Sequence, residues 1–258
     1  MERYQVILAY DGTRFHGSQV QNGVRTTQGV LEQALRKLNW RGRSVLMAGR
    51  TDAGVHALGQ VAAFDLDWNH SPKDLRNALN AVLPADLAVR QVQVCPSDFH
   101  PRFHATSRSY RYRIYCQSVR DPLRERYAWR VWPRPDIGLL QKVSRALVGV
   151  HDFAAFGQAT SPKGSTVRHL MEAHWTIDGD EIIFEVTANA FLYHMARRMV
   201  FVQIAVGQRK MSPLEIQDQL KNPPVSPIQG LAPPQGLVLV SVRYPGGQGE
   251  NNEKESGK

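Results

Sequence analysis

Three side chains of chemically capable types fall within seven positions of one another: Arg50, Asp52 and His56, in AGRTDAGVHALGQ at residues 48–60. Gly49 and Gly54 let the backbone turn tightly on either side of Asp52. The flanks SVLM and VAAFDL read as short strands. The carboxylate therefore projects from a loop between paired strands, a place where catalytic groups often sit. Asp65 and Asp67 lie beyond a strand, so a glycosidase-type carboxylate pair is not suggested. A lone aspartate held ionised by an arginine can act as a nucleophile or as a base. Thr-Asp-Ala-Gly is also ordinary turn chemistry, and His56 by itself reads as structural rather than catalytic.

A second loaded segment is NAFLYHMARRMVFVQIAVG, residues 189–207. Its spacing predicts a helix capped by Asn189 and ended by Gly207. Leu192, Met195, Met199, Val202 and Val206 form one apolar stripe, and Tyr193, Val200 and Ile204 another, with Arg197 in line. A helix apolar nearly all round is buried. An arginine on that face needs an anion, because stranding one member of a buried pair costs about 3–5 kcal/mol. The alternative is a side chain that snorkels at the helix edge, as expected of Arg198.

These groups must be positioned by a larger frame. YQVILAY (4–10), SVLMAG, GQVAAFDL and DLAVRQVQV (86–94) read as strands, with helices at VLEQALRKL (30–38) and from Pro72. SYRYRIYC (109–116), a helix near 136–148, two strands joined at Asp178-Gly179-Asp180, the arginine helix and GLVLVSVRY repeat the outline. Each half reads βαββαβ, a four-stranded sheet covered by two helices. The expected class is α+β, with two similar halves at 1–103 and 104–244 whose largely antiparallel sheets join, and a disordered tail at 245–258.

Net charge is +9 over 258 residues, about 42% of them apolar, which allows a substantial core and favours polyanionic partners. Residues 102–134 hold nine arginines and only two acids, Asp121 and Glu125, with seven aromatics threaded among them. Guanidinium forks pair with phosphates and flat rings stack on exposed bases, so the stretch suits RNA. The competing reading is a strand with solvated arginines. Only Cys95 and Cys116 are present, with no CxxC, so neither a disulfide framework nor a zinc site is expected. With no membrane-length apolar run and no signal-peptide core, the expected setting is cytoplasmic.

GRTDAGVHALGQVAAF resembles the active-site signature of the tRNA pseudouridine synthase A family. YDGTRFHGSQVQ, TTQGVLEQAL, FHPRFHATSRSYRYRIY, HDFAAF, FLYHMARRMV and LAPPQGLVL resemble further family segments in the same order, over about residues 4–244. The resemblance implies a catalytic carboxylate at Asp52 with Arg50 beside it, Tyr110 packed against the target base, and Arg197 paired with Asp52. It also implies Leu237 lining the base pocket, with Leu239 as the alternative register. It implies a homodimer that needs neither metal nor cofactor and isomerises uridines 38, 39 and/or 40 in the anticodon stem-loop of tRNA. Arg198 stands where the family commonly has Asn, and Phe201 near a common glycine. Two other classes compete. A non-catalytic RNA-binding protein has little use for Asp52, and a metal-dependent nuclease needs clustered carboxylates that the sequence lacks.

Overall fold

The run RYQVILAY, rich in β-formers and ended by Asp11-Gly12, opens the fold as β1 (Glu2–Tyr10). The computed structural model describes residues 1–161, 163–224 and 226–247. In order follow α1 (Thr27–Lys37), β2 (Leu46–Met47), β3 (His56–Leu66), α2 (Pro72–Val82), β4 (Leu87–Cys95), β5 (Ser107–Tyr115) and β6 (Trp129–Arg130). Then come α3 (Ile137–Leu147), β7 (Gly149–Asp152), β8 (Val167–Asp178), β9 (Glu181–Ala188), α4 (Met195–Gly207), α5 (Pro213–Lys221) and β10 (Leu237–Arg243). The architecture is mixed α+β with largely antiparallel strand pairing. No helix of the described residues is long and apolar enough to cross a membrane.

Two compact units divide the chain: Met1–Thr106 together with the chain from Leu239, and Ser107–Val238. The sequence reading set the boundary at 103/104 and kept the last strand with the second half. The final strand instead goes back to the first unit from Leu239 onward. Of the tail expected at 245–258, Pro245–Gly247 form a 3-10 turn, and the rest lies outside the described residues.

In the first unit, β1 pairs antiparallel with β3 on one side and β4 on the other, and β10 follows β3 in the sheet. Tyr4, Val6, Leu8 and Tyr10 of β1 are buried together with Leu31, Ala34 and Leu35 of α1 and Leu75 and Leu79 of α2. Thr26 caps α1 by accepting from Gly29 N–H, and Ser71 with Asp74 makes a capping box on α2. The strand expected at SVLMAG shrinks to two residues, Leu46 opposite Ala63 and Met47 opposite Ala62. Beyond it Gly49 O is taken by the Gln60 side-chain amide at 3.0 Å, so a side chain replaces a ladder bond and the loop peels away.

In the second unit the strand order is β5-β9-β8-β7, with β6 parallel beside β5. Asp178-Gly179-Asp180 joins β8 to β9 as the turn chemistry predicts, Gly179 taking φ 59°. One face of β5 buries Tyr110, Tyr112 and Ile114 while Arg111 and Arg113 occupy the other. Helices α3 and α4 bury Leu140, Val143, Leu147, Met195, Met199, Val202 and Val206. Gln203, also buried, accepts from the Trp175 indole at 2.8 Å.

Asn189 does not cap α4. Its Oδ1 accepts from the His169 and Ala190 amides, and Tyr193 forms a β-bridge with Gln158. Residues 189–194 are thus committed elsewhere, and the helix begins at Met195 after His194 in a left-handed conformation, φ 66°.

Candidate functional site

Thr51, the residue before Asp52, is held at three points. Its hydroxyl lies 2.8 Å from that of Tyr10 at the end of β1, its N–H donates to Ser18 Oγ at 2.9 Å, and its carbonyl accepts from Ser18 N–H at 3.1 Å. Tyr10 and Ser18 are both buried, and burial pushes the Tyr10 phenol up to about 12. Gly17, with φ 87°, lets the Ser18 segment come in close: a Cβ there would stand 2.8 Å from Thr51 O.

Asp52 then opens a turn in which its carbonyl accepts from Val55 N–H at 3.2 Å, with Gly54 at φ 78°. Gly54 N–H donates to Phe15 O at 3.2 Å. Asp52 is half-buried and Arg50 exposed, so the loop presents its carboxylate at the edge of the unit rather than in its core. The arrangement is that of a side chain aimed by a rigid backbone, suited to nucleophilic or basic work.

His56 is not a loop residue. It starts β3, is buried, and its Nδ1 accepts from Gly12 N–H at 2.9 Å. Asp11 Oδ1 stands 3.2 Å from the same nitrogen. A lone pair already engaged by an amide does not also donate, so we read the ring as a hinge pin between the loop's exit and the turn after β1.

In the second unit, Tyr110 is buried on β5 and meets Phe191 edge-on, ring centroids 4.8 Å apart at 78°. Two residues along the same face, the Tyr112 hydroxyl donates to Pro233 O at 2.7 Å. Burial raises that phenol far above its ordinary range, against the opposing pull of the Arg197 charge. Arg197, half-buried in the first turn of α4, donates from Nε to Ala232 O at 2.8 Å, and Ala232 N–H returns a bond to Arg197 O at 3.3 Å. Gly236 packs on the Tyr112 ring, where a Cβ would come 2.6 Å from Cε1, and Leu237 follows, buried. Tyr112 and Arg197 thus grip one segment, Ala232–Leu237, and Tyr110 lies on the face that faces it through Tyr112. Leu239 is buried as well, and burial does not choose between the two registers.

Arg198 does not snorkel. It is half-buried and donates to Ile228 O at 2.7 Å and Phe156 O at 2.8 Å, and desolvation, then the neighbouring Arg197 charge, lowers its pKa.

The arginine-rich stretch also departs from expectation. Arg111 pairs with Glu185, Arg113 with Glu181, Arg120 with Glu125, Arg124 with Asp180 and Glu181, and Arg130 with Glu125. Counting acids only inside 102–134 missed Asp180, Glu181 and Glu185, which arrive from β9 and its turn. These five arginines each face an internal carboxylate, so the stretch is less acid-poor in space than it is in sequence.

Sequence reasoning missed Tyr10, Ser18 and Tyr112 as positioning groups. Their side chains act on residues 33 to 121 positions away, and no local spacing signals such a bond.

A tRNA pseudouridine synthase family model matches residues 6–104 and 143–245. The match includes Arg50, Asp52, Arg197 and Leu237 and leaves out Tyr110. tRNA pseudouridine synthase A of Chloroflexus aurantiacus is 40% identical over 254 residues, covering 96% of this chain and 90% of that protein. The protein of that name from Geobacillus kaustophilus is 40% identical over 246 residues, covering 94% and 95%. The one from Geobacter sp. strain M21 is 38% identical over 246 residues, covering 95% and 100%.

Proposed function

The chain belongs to the tRNA pseudouridine synthase family, and from that premise we propose that it isomerises uridine to pseudouridine at positions 38, 39 and/or 40 of the tRNA anticodon stem-loop, with Asp52 as the reacting carboxylate. The observation that supports the choice of Asp52 is the three-point hold on Thr51, which fixes the backbone beside one half-buried acid.

The reaction breaks the bond from uracil N1 to the sugar C1′ and forms one from C5 to C1′, with a proton lost at C5 and one gained at N1. Atoms are conserved and no electrons are exchanged, so neither metal nor cofactor is called for. A stem base must be flipped out to be reached. Asp52 acts at C1′, at C6, or as a base in a glycal route. Tyr110 packs against the flipped base, Leu237 supplies apolar lining, and Arg197 pairs with the carboxylate. Arg50, exposed beside Asp52, supports the carboxylate together with Arg197, or else fills the gap left by the flipped base or contacts phosphate. The enzyme works as a cytoplasmic homodimer.

The test is pseudouridine formation on unmodified tRNA with EDTA present, mapped along the anticodon arm for wild type and Asp52→Asn. Product from wild type alone, confined to that arm, is expected. Binding without product from either protein would move the chain to the RNA-binding class. Turnover by Asp52→Asn would remove the role of the carboxylate.

A further inference from the structure

Phe103 is 74% exposed, yet the turn that carries it is among the most tightly tied in the first unit. Phe99 is buried edge-on against His104 and Tyr244, with centroids 5.8 and 5.1 Å away. Arg3 donates to Phe99 O at 3.1 Å, and the Tyr244 hydroxyl donates to Pro101 O at 2.8 Å. Inside the turn, His104 N–H donates to His100 O at 3.0 Å, and Arg102 N–H donates to His100 Nδ1 at 3.1 Å. A loose surface ring needs none of this.

The result is a ring held out in water with one face backed. The His100 imidazole lies 4.3 Å from the Phe103 centroid, tilted by 38°, and the Arg102 guanidinium carbon is 5.9 Å from the same centroid. At 74% exposure most of the Phe103 ring still faces solvent. Single exposed apolar residues are common and mean little by themselves. This one is different in being pre-stacked, beside a cation, in a stretch from Phe99 to Thr106 with no acid. A solvent-facing aromatic ring with adjoining positive charge fits an unpaired nucleobase and its phosphate, and it tolerates any base because every base has a π face.

We propose that Phe103, backed by His100 and flanked by Arg102, is a stacking platform for one unpaired base of the RNA substrate, apart from the base that reacts. The proposal rests on the reading of the chain as a tRNA-modifying enzyme. It adds an RNA contact in the turn before β5, whose Arg111 and Arg113 pair with Glu185 and Glu181.

The experiment uses the full chain with Phe103→Ala and Phe103→Trp, against two probes: unmodified tRNA and a fully paired RNA duplex of similar length. Phe103→Ala is expected to weaken tRNA binding about tenfold, equivalent to about 1.4 kcal/mol, with the wild-type salt slope, since no charge is lost. Duplex affinity stays at the wild-type value, and KM for tRNA rises more than kcat falls. Phe103→Trp restores tRNA affinity, and its added fluorescence is quenched by tRNA but not by duplex. Wild-type tRNA affinity in Phe103→Ala, or equal losses on both probes, overturns the platform. A halved molecular mass of Phe103→Ala with unchanged RNA binding overturns it in favour of a contact between copies of the chain. If wild type makes no pseudouridine, the assigned reaction fails, while selective quenching of Phe103→Trp by unpaired RNA still decides the platform.

Discussion

In the first unit the Tyr10 hydroxyl meets the Thr51 hydroxyl at 2.8 Å; in the second the Tyr112 hydroxyl donates to the Pro233 carbonyl at 2.7 Å. Each tyrosine comes from the first strand of its unit, and each steadies a segment that carries a residue of the proposed site, Asp52 in one case and Leu237 in the other. The difference lies in the acceptor. A carbonyl can only accept, so Tyr112 must donate, and its loss leaves a main-chain oxygen without that partner. A hydroxyl can turn, and Thr51 is held by Ser18 as well. The Thr51 end of the acid-bearing loop is therefore held redundantly, whereas the Pro233 carbonyl has its hold from Tyr112 and the segment's other tie, from Arg197, lies at Ala232.

A second parallel runs beside the first. Arg25 lies over the Phe15 ring at 4.1 Å and forks onto Asp86, and Arg124 lies over the Tyr115 ring at 4.5 Å and forks onto Asp180. Stacking one face of a guanidinium while pairing its edge is a use that lysine cannot copy.

The largest effect that separates the units concerns chemistry against binding. Asp52→Asn is expected to lower turnover by about 10²–10⁴-fold while tRNA affinity holds. Tyr110→Ala impairs catalysis and Tyr110→Phe keeps most of it, which single-turnover rates on tRNA would reveal. A double-mutant cycle of Asp52→Asn with Arg197→Ala measures whether the two act on each other; purely additive losses would separate them.

Next in size is the single hold. Tyr112→Phe strands Pro233 O and should cost about 1–3 kcal/mol, read from denaturant midpoints. Tyr10→Phe should cost less, about 1 kcal/mol, and Thr51→Val added to it should cost little more, since one bond is lost twice. Equal losses at Tyr10 and Tyr112 would erase the contrast between the two tyrosine holds.

The smallest effect is electrostatic. The Arg25 fork holds the Asp86 carboxyl below its usual range, so the pair stabilises the fold above the ordinary carboxylate pKa and that contribution disappears as pH falls through the depressed value. Arg25→Met should lower stability by about 0.5–1 kcal/mol at pH 7 and by less near pH 2. The Arg124 fork depresses Asp180 in the same direction, but Asp180 is the more exposed acid, and Arg124→Met should show the same trend more weakly. A penalty that grows on acidification would reverse the sign and exclude the mechanism.

Local pattern revealed what local physics decides. The stripes of α1, α2 and α3, the Asp178-Gly179-Asp180 hairpin and the β-rich runs are set by neighbours a few residues apart, and they appear where the sequence places them. The loop carrying Asp52 was legible for the same reason: its glycines and turn residues lie within it. What escaped was long-range. β2 is short because Gln60 captures Gly49 O. α4 starts late because Asn189 is bonded to β8 and Tyr193 to Gln158. The arginines of β5 look free until β9 brings Glu181 and Glu185 across the ladder.

The return of the chain at Leu239 has a consequence for how the molecule is made. A ribosome delivers the first unit up to Thr106, then the whole of the second unit, and only then the strand that completes the first. Until that moment the outer side of β3 is covered by Leu46 and Met47 alone, an open sheet edge of the kind that recruits stray strands. Thr106 N–H, whose acceptor is Arg243 O, and the Pro101 carbonyl, whose donor is the Tyr244 hydroxyl, wait just as long. The strand that completes the first unit is therefore the last to be made, and that unit stays unfinished while the whole of the second is synthesised.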